Sequence, residues 1–286
     1  MTFNSVFDKT NCTTSPLPTS APLSDQTKLC IERLLVCDLE RPDLSGQPTE
    51  KLAAVLVLLY EKAGELRVLL TTRSKLLRAH PGQTALPGGK VDETDQSLVE
   101  AAFREAHEEV GLPINSPHVH TLRILRPFLS QSQLLVTPVV AFLTDLEVLD
   151  TLKPCIGEVD HIFSHPLEAI LDPQLARKEP LVPMGSEHWL YDQELYNTSD
   201  SVIEAMDNLV YRMHRFRSSA SPIKGLTADI LILVAEIAYQ KRTTYERYPA
   251  GEAGSTVRLV CLRIKQYTML AGTRQPATKS VSCVEA

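Results

Sequence analysis

The chain has 286 residues, 43% of them apolar, with a formal net charge of −6, which is enough for one sizeable domain with peripheral elements. The acidic balance and the lack of any long Lys/Arg run exclude a general nucleic-acid binder or a protein that adheres to anionic membranes, so an anionic ligand needs local cations or a metal. Cys12, Cys30, Cys37, Cys155, Cys261 and Cys283 are scattered without zinc-ligand spacing, and no apolar run approaches the roughly 20 residues needed to cross a bilayer, so the expectation is a soluble intracellular protein with reduced thiols.

Residues 1–28 are rich in Ser, Thr and Pro and read as a disordered tail, because they cannot bury enough apolar surface to offset ordering entropy. A domain is expected over 29–250, followed by an extension over 251–286 that ends in a polar tail. "AAVLVLLY" (53–60) and "LRVLLTTR" (66–73) are β-compatible apolar runs joined by a short link containing Gly64, which predicts two antiparallel strands. "AHPGQTALPGGKVDETD" (79–95) then marks a long irregular loop, and loops of that length inside a compact domain usually serve a function.

From about Asp95 to Val110 the period turns helical. At about 100° per residue, Val99, Ala102, Phe103, Ala106 and Val110 form one stripe suited to packing on a sheet. Gly111, Leu112 and Pro113 form the stop signal. "LLVTPVVAFL" (134–143) predicts a buried strand with Pro138 at an edge or bulge, and "GLTADILILVAEIAYQ" (225–240) predicts a second long helix. Residues 144–222 read as mixed. Strands on both sides of a loop–helix unit, with a late second helix, point to a helix-sheet-helix sandwich of α/β (α+β) class.

On the first helix Glu105, Glu108 and Glu109 fall within an arc of about 100°, with Glu109 about 20° from Ala102 at the rim of the apolar stripe. Like charges three and four residues apart each cost about 0.2–0.5 kcal/mol, so the face weakens the bare helix. A solvated acidic surface is one reading. The other is a Mg²⁺ or Mn²⁺ site for a phosphate-bearing ligand, because hard divalent cations take carboxylates, waters and substrate phosphates together and the Gly-rich loop brings backbone carbonyls to the same point.

"GGKVDETDQSLVEAAFREAHEEVGL" (88–112) resembles the Nudix box of the Nudix hydrolases. Gly88, Gly89, Arg104, Glu105, Glu108, Glu109 and Gly111 match together, with a chance probability on the order of 10⁻⁶ at ordinary residue frequencies. The gap from Gly89 to Arg104 is one residue longer than in the common box, and the intermediate acid is Asp95. That longer box, and the upstream "LLTTRSKLLRAHPGQTALPGG" (69–89), are similar to the coenzyme A diphosphatase subfamily; Thr84 and Leu86 stand where that subfamily usually has Val and Phe.

The resemblance implies a Nudix-type sandwich with a mixed sheet. It also implies Mg²⁺- or Mn²⁺-dependent hydrolysis of the diphosphate of coenzyme A or acyl-coenzyme A, to 3',5'-ADP and 4'-phosphopantetheine or its acyl form. Glu108, Glu109 and the Gly89 carbonyl are the implied metal ligands, and Glu105 is a ligand or the residue that orients or deprotonates water. Arg104 holds the carboxylates in place or pairs with Glu100. Glu158, in "GEVDHIF" (157–163), is a further ligand or a plain surface glutamate. Arg73, Arg78 and His80, with Gly82 and Gly88 in the same motif, contact substrate or scaffold the loop. The alternatives are another nucleoside diphosphate derivative, such as ADP-ribose, a dinucleotide or a damaged nucleotide, and a silent nucleotide-binding module. No nucleic-acid or membrane partner is expected. The peroxisome follows from the resemblance alone, with the cytosol as alternative, since "CVEA" is not a Ser-Lys-Leu-type address.

Overall fold

The computed structural model describes residues 22–37, 44, 46–204 and 208–249. Most of the expected tail (1–28) and the whole 251–286 extension lie outside the described residues. Where the tail is described, its last residues are helical rather than irregular: α1 runs Asp25–Val36. Ser24 caps it by accepting the Thr27 amide at 3.2 Å, an arrangement worth about 1 kcal/mol. Glu61 in turn accepts from the Ser24 hydroxyl at 2.6 Å and from its amide, which pins the helix start to the sheet.

The two apolar runs form β1 (Leu52–Lys62) and β2 (Glu65–Arg73), paired antiparallel. Ala63 (φ 55°) and Gly64 (φ 78°) both sit in the left-handed region, as a two-residue hairpin of this hand requires. The long loop is not wholly irregular. It holds two short strands, β3 (Thr84–Ala85) against β2 and β4 (Gly88–Lys90) against β1.

Next come α2 (Leu98–Val110), β5 (Val119–Ile124), β6 (Phe128–Leu129), β7 (Leu135–Leu143), α3 (Glu147–Thr151) and β8 (Val159–Pro166). Strands β1 to β8 make one mixed sheet, with core order β3-β2-β1-β7-β5, β1 parallel to β7 and β2 antiparallel to β8. Pro138 does not lie on an edge strand. It sits inside β7, opposite the gap between β5 and β6, where the Leu125 amide reaches its carbonyl at 2.9 Å; that break in the ladder is where a strand tolerates a missing N–H.

Alternation along β1 explains the two cores. Leu52, Ala54, Leu56 and Leu58 pack with Ala101, Ala102, Ala106 and Val110 of α2 on one face. Val57 and Leu59 face the other way, with Cys30, Ile31 and Leu34 of α1 and most of α4 (Gly225–Tyr239). The result is the expected helix-sheet-helix sandwich of α/β class. Residues 144–222 also yield a second sheet: β9 (Tyr196–Ile203), β10 (Leu209–Phe216) and β11 (Ile223–Lys224) pair antiparallel in the order β11-β10-β9. The two sheets meet at a buried hydroxyl cluster, in which Thr84 Oγ1 lies 2.7 Å from Ser221 Oγ, itself 3.2 Å from Thr72 Oγ1.

Candidate metal and phosphate site

Helix α2 begins at Ser97, which accepts the Glu100 amide at 3.1 Å, and ends at Gly111 in the left-handed conformation (φ 71°). Glu100 turns back to the Gln96 amide at 2.8 Å, so it is not the partner of Arg104. That guanidinium instead forks onto Asp95 at 2.9 Å through both Nε and Nη2, and reaches Glu105, Glu108 and the Lys90 carbonyl at 3.1, 3.1 and 3.0 Å. Its carboxylate contacts thus fall on Asp95, Glu105 and Glu108 and not on Glu100.

The three glutamates differ in surroundings. Glu108 is exposed, Glu105 is partly covered and Glu109 is 7% exposed. Burial pushes the Glu109 carboxyl up to about 7, although the Gly88 amide donates to it at 3.1 Å and Arg73 Nη1 lies 3.6 Å away. Burial also raises Glu105 above the usual carboxylate range. Glu105 packs so closely on the loop that a Cβ on Gly89 would fall 2.6 Å from its carboxyl atoms. Glu158 is exposed, but its field reaches Glu109. The 153–158 loop places it by docking on the end of α2, with Cys155 N on Glu109 O at 2.9 Å and Lys153 N on Val110 O at 3.0 Å.

Among the described residues no three acidic, His or Cys side chains converge at metal-ligand distance; Arg104, Arg73 and the Gly88 amide occupy the carboxylates instead. The donor set still fits a hard divalent cation. It offers the carboxylate oxygens of Glu105 and Glu109 close against the Gly88–Gly89 backbone, where the absence of a Cβ lets them approach.

Beside this face lies a cavity of about 620 Å³, reached at Arg73, Gly88 and Gly89 and bounded opposite by β10, β11 and the start of α4. Its walls carry Arg73, Lys90, Arg126, Arg212, Arg215, Lys224 and Arg247, and Asp229 is the one carboxylate lining it among the described residues. Burial pushes Asp229 up to about 6, and Tyr211 Oη donates to it at 2.8 Å.

Of the upstream motif, Arg73, His80 and Gly88 line this cavity, whereas Arg78 is exposed and away from it. Arg73 also carries out the scaffolding alternative, with Nε on the Ala79 carbonyl at 3.4 Å. Gly82 (φ 68°) closes the loop by donating to the Arg73 carbonyl at 3.0 Å and does not face the cavity. Sequence reasoning missed Arg212, Arg215 and Lys224. Lys224 directly precedes "GLTADIL", a helix start similar to that of the subfamily, and that was the signal available.

A mixed sheet between helices, with a Gly-Gly strand facing the glutamates of α2, defines a Nudix domain, and residues 50–184 match the NUDIX domain family. The chain belongs to the Nudix hydrolases. It is 30% identical over 194 residues to "Peroxisomal coenzyme A diphosphatase NUDT7" of Mus musculus, covering 68% of this chain and 72% of that one. It is 42% identical over 142 residues to "Peroxisomal coenzyme A diphosphatase ndx-8" of Caenorhabditis elegans (47% and 59%). It is 38% identical over 201 residues to "Nudix hydrolase 15, mitochondrial" of Arabidopsis thaliana (70% and 61%). The chain thus spans about 60% of the length of the last two relatives. No helix among the described residues is long and apolar enough to cross a membrane.

Proposed function

We propose that the chain hydrolyses the diphosphate bond of coenzyme A and its thioesters, giving 3',5'-ADP and 4'-phosphopantetheine or its acyl form, with Mg²⁺ or Mn²⁺. The observation that carries this reading is the junction at Gly88–Gly89, with the acidic face of α2 on one side and a cation-lined cavity on the other. A ligand with a reactive diphosphate and further negative charge needs both.

A divalent cation in such a site neutralises diphosphate oxygens and lowers the pKa of water. Glu108, Glu109 and the Gly89 carbonyl are the groups that would hold it, with Glu105 and Glu158 beside them. The Glu105 carboxylate would also orient the attacking water or take its proton. Arg104 keeps Glu105 and Glu108 on one side of the helix through its contacts at 3.1 Å. The cavity, at about 620 Å³, lies within the range of small-ligand sites, and Arg73 and His80 are the basic residues of the upstream motif that line it. The names of two relatives support the coenzyme A reading, and the peroxisome goes with it as the compartment.

The test is a substrate panel with products identified by mass, run in Mg²⁺ and Mn²⁺ in parallel. Release of 3',5'-ADP from coenzyme A is the expected result. Coenzyme A without advantage over dephospho-coenzyme A and ADP-ribose would move the assignment to another nucleoside diphosphate derivative. Saturable binding without turnover in any metal would leave a silent binding module.

A further inference from the structure

Most cations on the cavity wall already have partners. Arg212 is held by Asp200 at 2.7 Å through Nε and Nη2, Arg247 by Glu236, and Arg73 lies beside Glu109. Lys90 is exposed on β4, next to the Gly88–Gly89 junction. Lys224 is different. It lines the cavity half-buried, and its ammonium makes no hydrogen bond or ion pair among the described residues.

The residue directly opposite it on the neighbouring strand has the same charge. Arg215 on β10 is the direct cross-strand partner of Lys224 on β11, which puts both side chains on one face with Cβ atoms about 4.5–5.5 Å apart. Like charges in that relation destabilise a sheet. Neutral groups hold the Arg215 guanidinium: Nη1 donates to Ser199 Oγ at 2.9 Å and to Asn197 Oδ1 at 3.2 Å, and the group lies over the Tyr191 ring. No carboxylate pairs with it among the described residues. Burial, and then Arg215, hold the Lys224 ammonium below the ordinary lysine range. Gly225 (φ 60°) turns β11 straight into α4, and no side chain caps the helix there, so free helix amides start beside the pair.

We propose that Lys224 and Arg215 form an anion subsite for a phosphate monoester on the substrate, separate from the diphosphate that lies at Gly88–Gly89. A dianion matches two adjacent cations and removes their mutual repulsion. The spacing suits one ligand. Thr227 Oγ1 donates to the Thr84 carbonyl at 3.3 Å, and Thr84 is five residues from Gly89, a span of at most about 17 Å. This rests on the proposed substrate, whose 3'-phosphate is the monoester in question.

Two measurements on the full chain test it. In the first, the ratio of kcat/KM for coenzyme A to that for dephospho-coenzyme A is compared in the native protein, Lys224→Met and Lys224→Arg. The methionine variant is expected to lower the ratio about tenfold, mostly through KM for coenzyme A, and the arginine variant to restore most of it. In the second, 3',5'-ADP and 5'-AMP are titrated calorimetrically in EDTA. The native preference for 3',5'-ADP should fall by a similar factor in Lys224→Met, at unchanged thermal midpoint. An unchanged ratio and an unchanged preference for 3',5'-ADP would overturn the subsite. If the native protein turns over no coenzyme A yet still prefers 3',5'-ADP through Lys224, the substrate assignment fails and the subsite stands.

Discussion

Glu105 leaves no room on Gly89: a methyl group there would lie 2.6 Å from the carboxyl carbon and from both oxygens. Its neighbour differs in what it touches. A Cβ on Gly88, at φ 150°, would meet Ala54 O at 2.4 Å and Val55 Cα at 2.6 Å, which are backbone atoms of β1.

The two alanine substitutions should therefore separate. Gly89→Ala pushes aside the far end of a flexible side chain, so its expected cost is below about 1 kcal/mol in urea unfolding, with activity down about tenfold or more. Gly88→Ala forces a strand apart and should cost about 2–4 kcal/mol. Equal losses of stability in the two variants would contradict this placement.

Arg104 holds Asp95, whose side chain is 2% exposed, while Arg104 itself is 25% exposed. Removing it strands a buried carboxylate. Arg104→Met should cost about 3 kcal/mol, and Arg104→Lys less but measurably, since one ammonium cannot reach Asp95, Glu105 and Glu108 together. Because the Asp95 carboxylate then has no charge to answer, Asp95→Asn in the Arg104→Met background should recover part of the loss in a double-mutant cycle.

Glu109→Gln and Glu108→Gln remove candidate metal ligands without changing shape. Release of 3',5'-ADP from coenzyme A should fall on the order of 10²-fold in each. Stability should hold in Glu109→Gln, since the charge removed is one that burial already disfavours. Turnover at the native rate in both variants would refute the site.

His165 is 1% exposed, has no hydrogen-bond partner on either ring nitrogen, and burial pushes its pKa down to about 4. Between its unfolded value of 6.5 and about 4, the unfolded chain binds a proton that the fold does not. Its contribution is therefore complete above pH 6.5 and is lost as the pH falls. Asp229, raised to about 6, runs the other way, so the comparison needs a variant. The stability gap between native protein and His165→Gln should narrow by about 2 kcal/mol from pH 7.5 to 5. A gap constant with pH in urea titrations would rule this out.

The metal face was legible because its parts are close in sequence: one helical period places Glu105, Glu108 and Glu109, and Gly88–Gly89 precedes them. Even the burial of Glu109 follows from its position near Ala102. The far wall of the cavity was not legible. Its residues come from β10, β11 and α4, which meet the Gly88–Gly89 loop only through contacts far apart in sequence such as Thr84 with Ser221, and β9 is exposed along most of its length, with no apolar alternation to mark it. Arg78, which the motif offers as a substrate contact or a loop scaffold, is exposed and does not line the cavity. For Pro138 the edge alternative fails and the bulge alternative comes near, since β5 and β6 leave a break with one extra residue opposite it.

The hydroxyl cluster of Thr72, Thr84 and Ser221 joins two sheets that each keep their own ladder of backbone bonds. Residues of β10 and β11 can therefore change the shape and charge of one wall without disturbing the strands that hold Gly88, Gly89 and α2. Such a division lets selection alter which molecule is recognised while the bond-breaking half is inherited intact. It also gives an engineer a short list of positions where a new ligand preference can be sought at low risk to the fold.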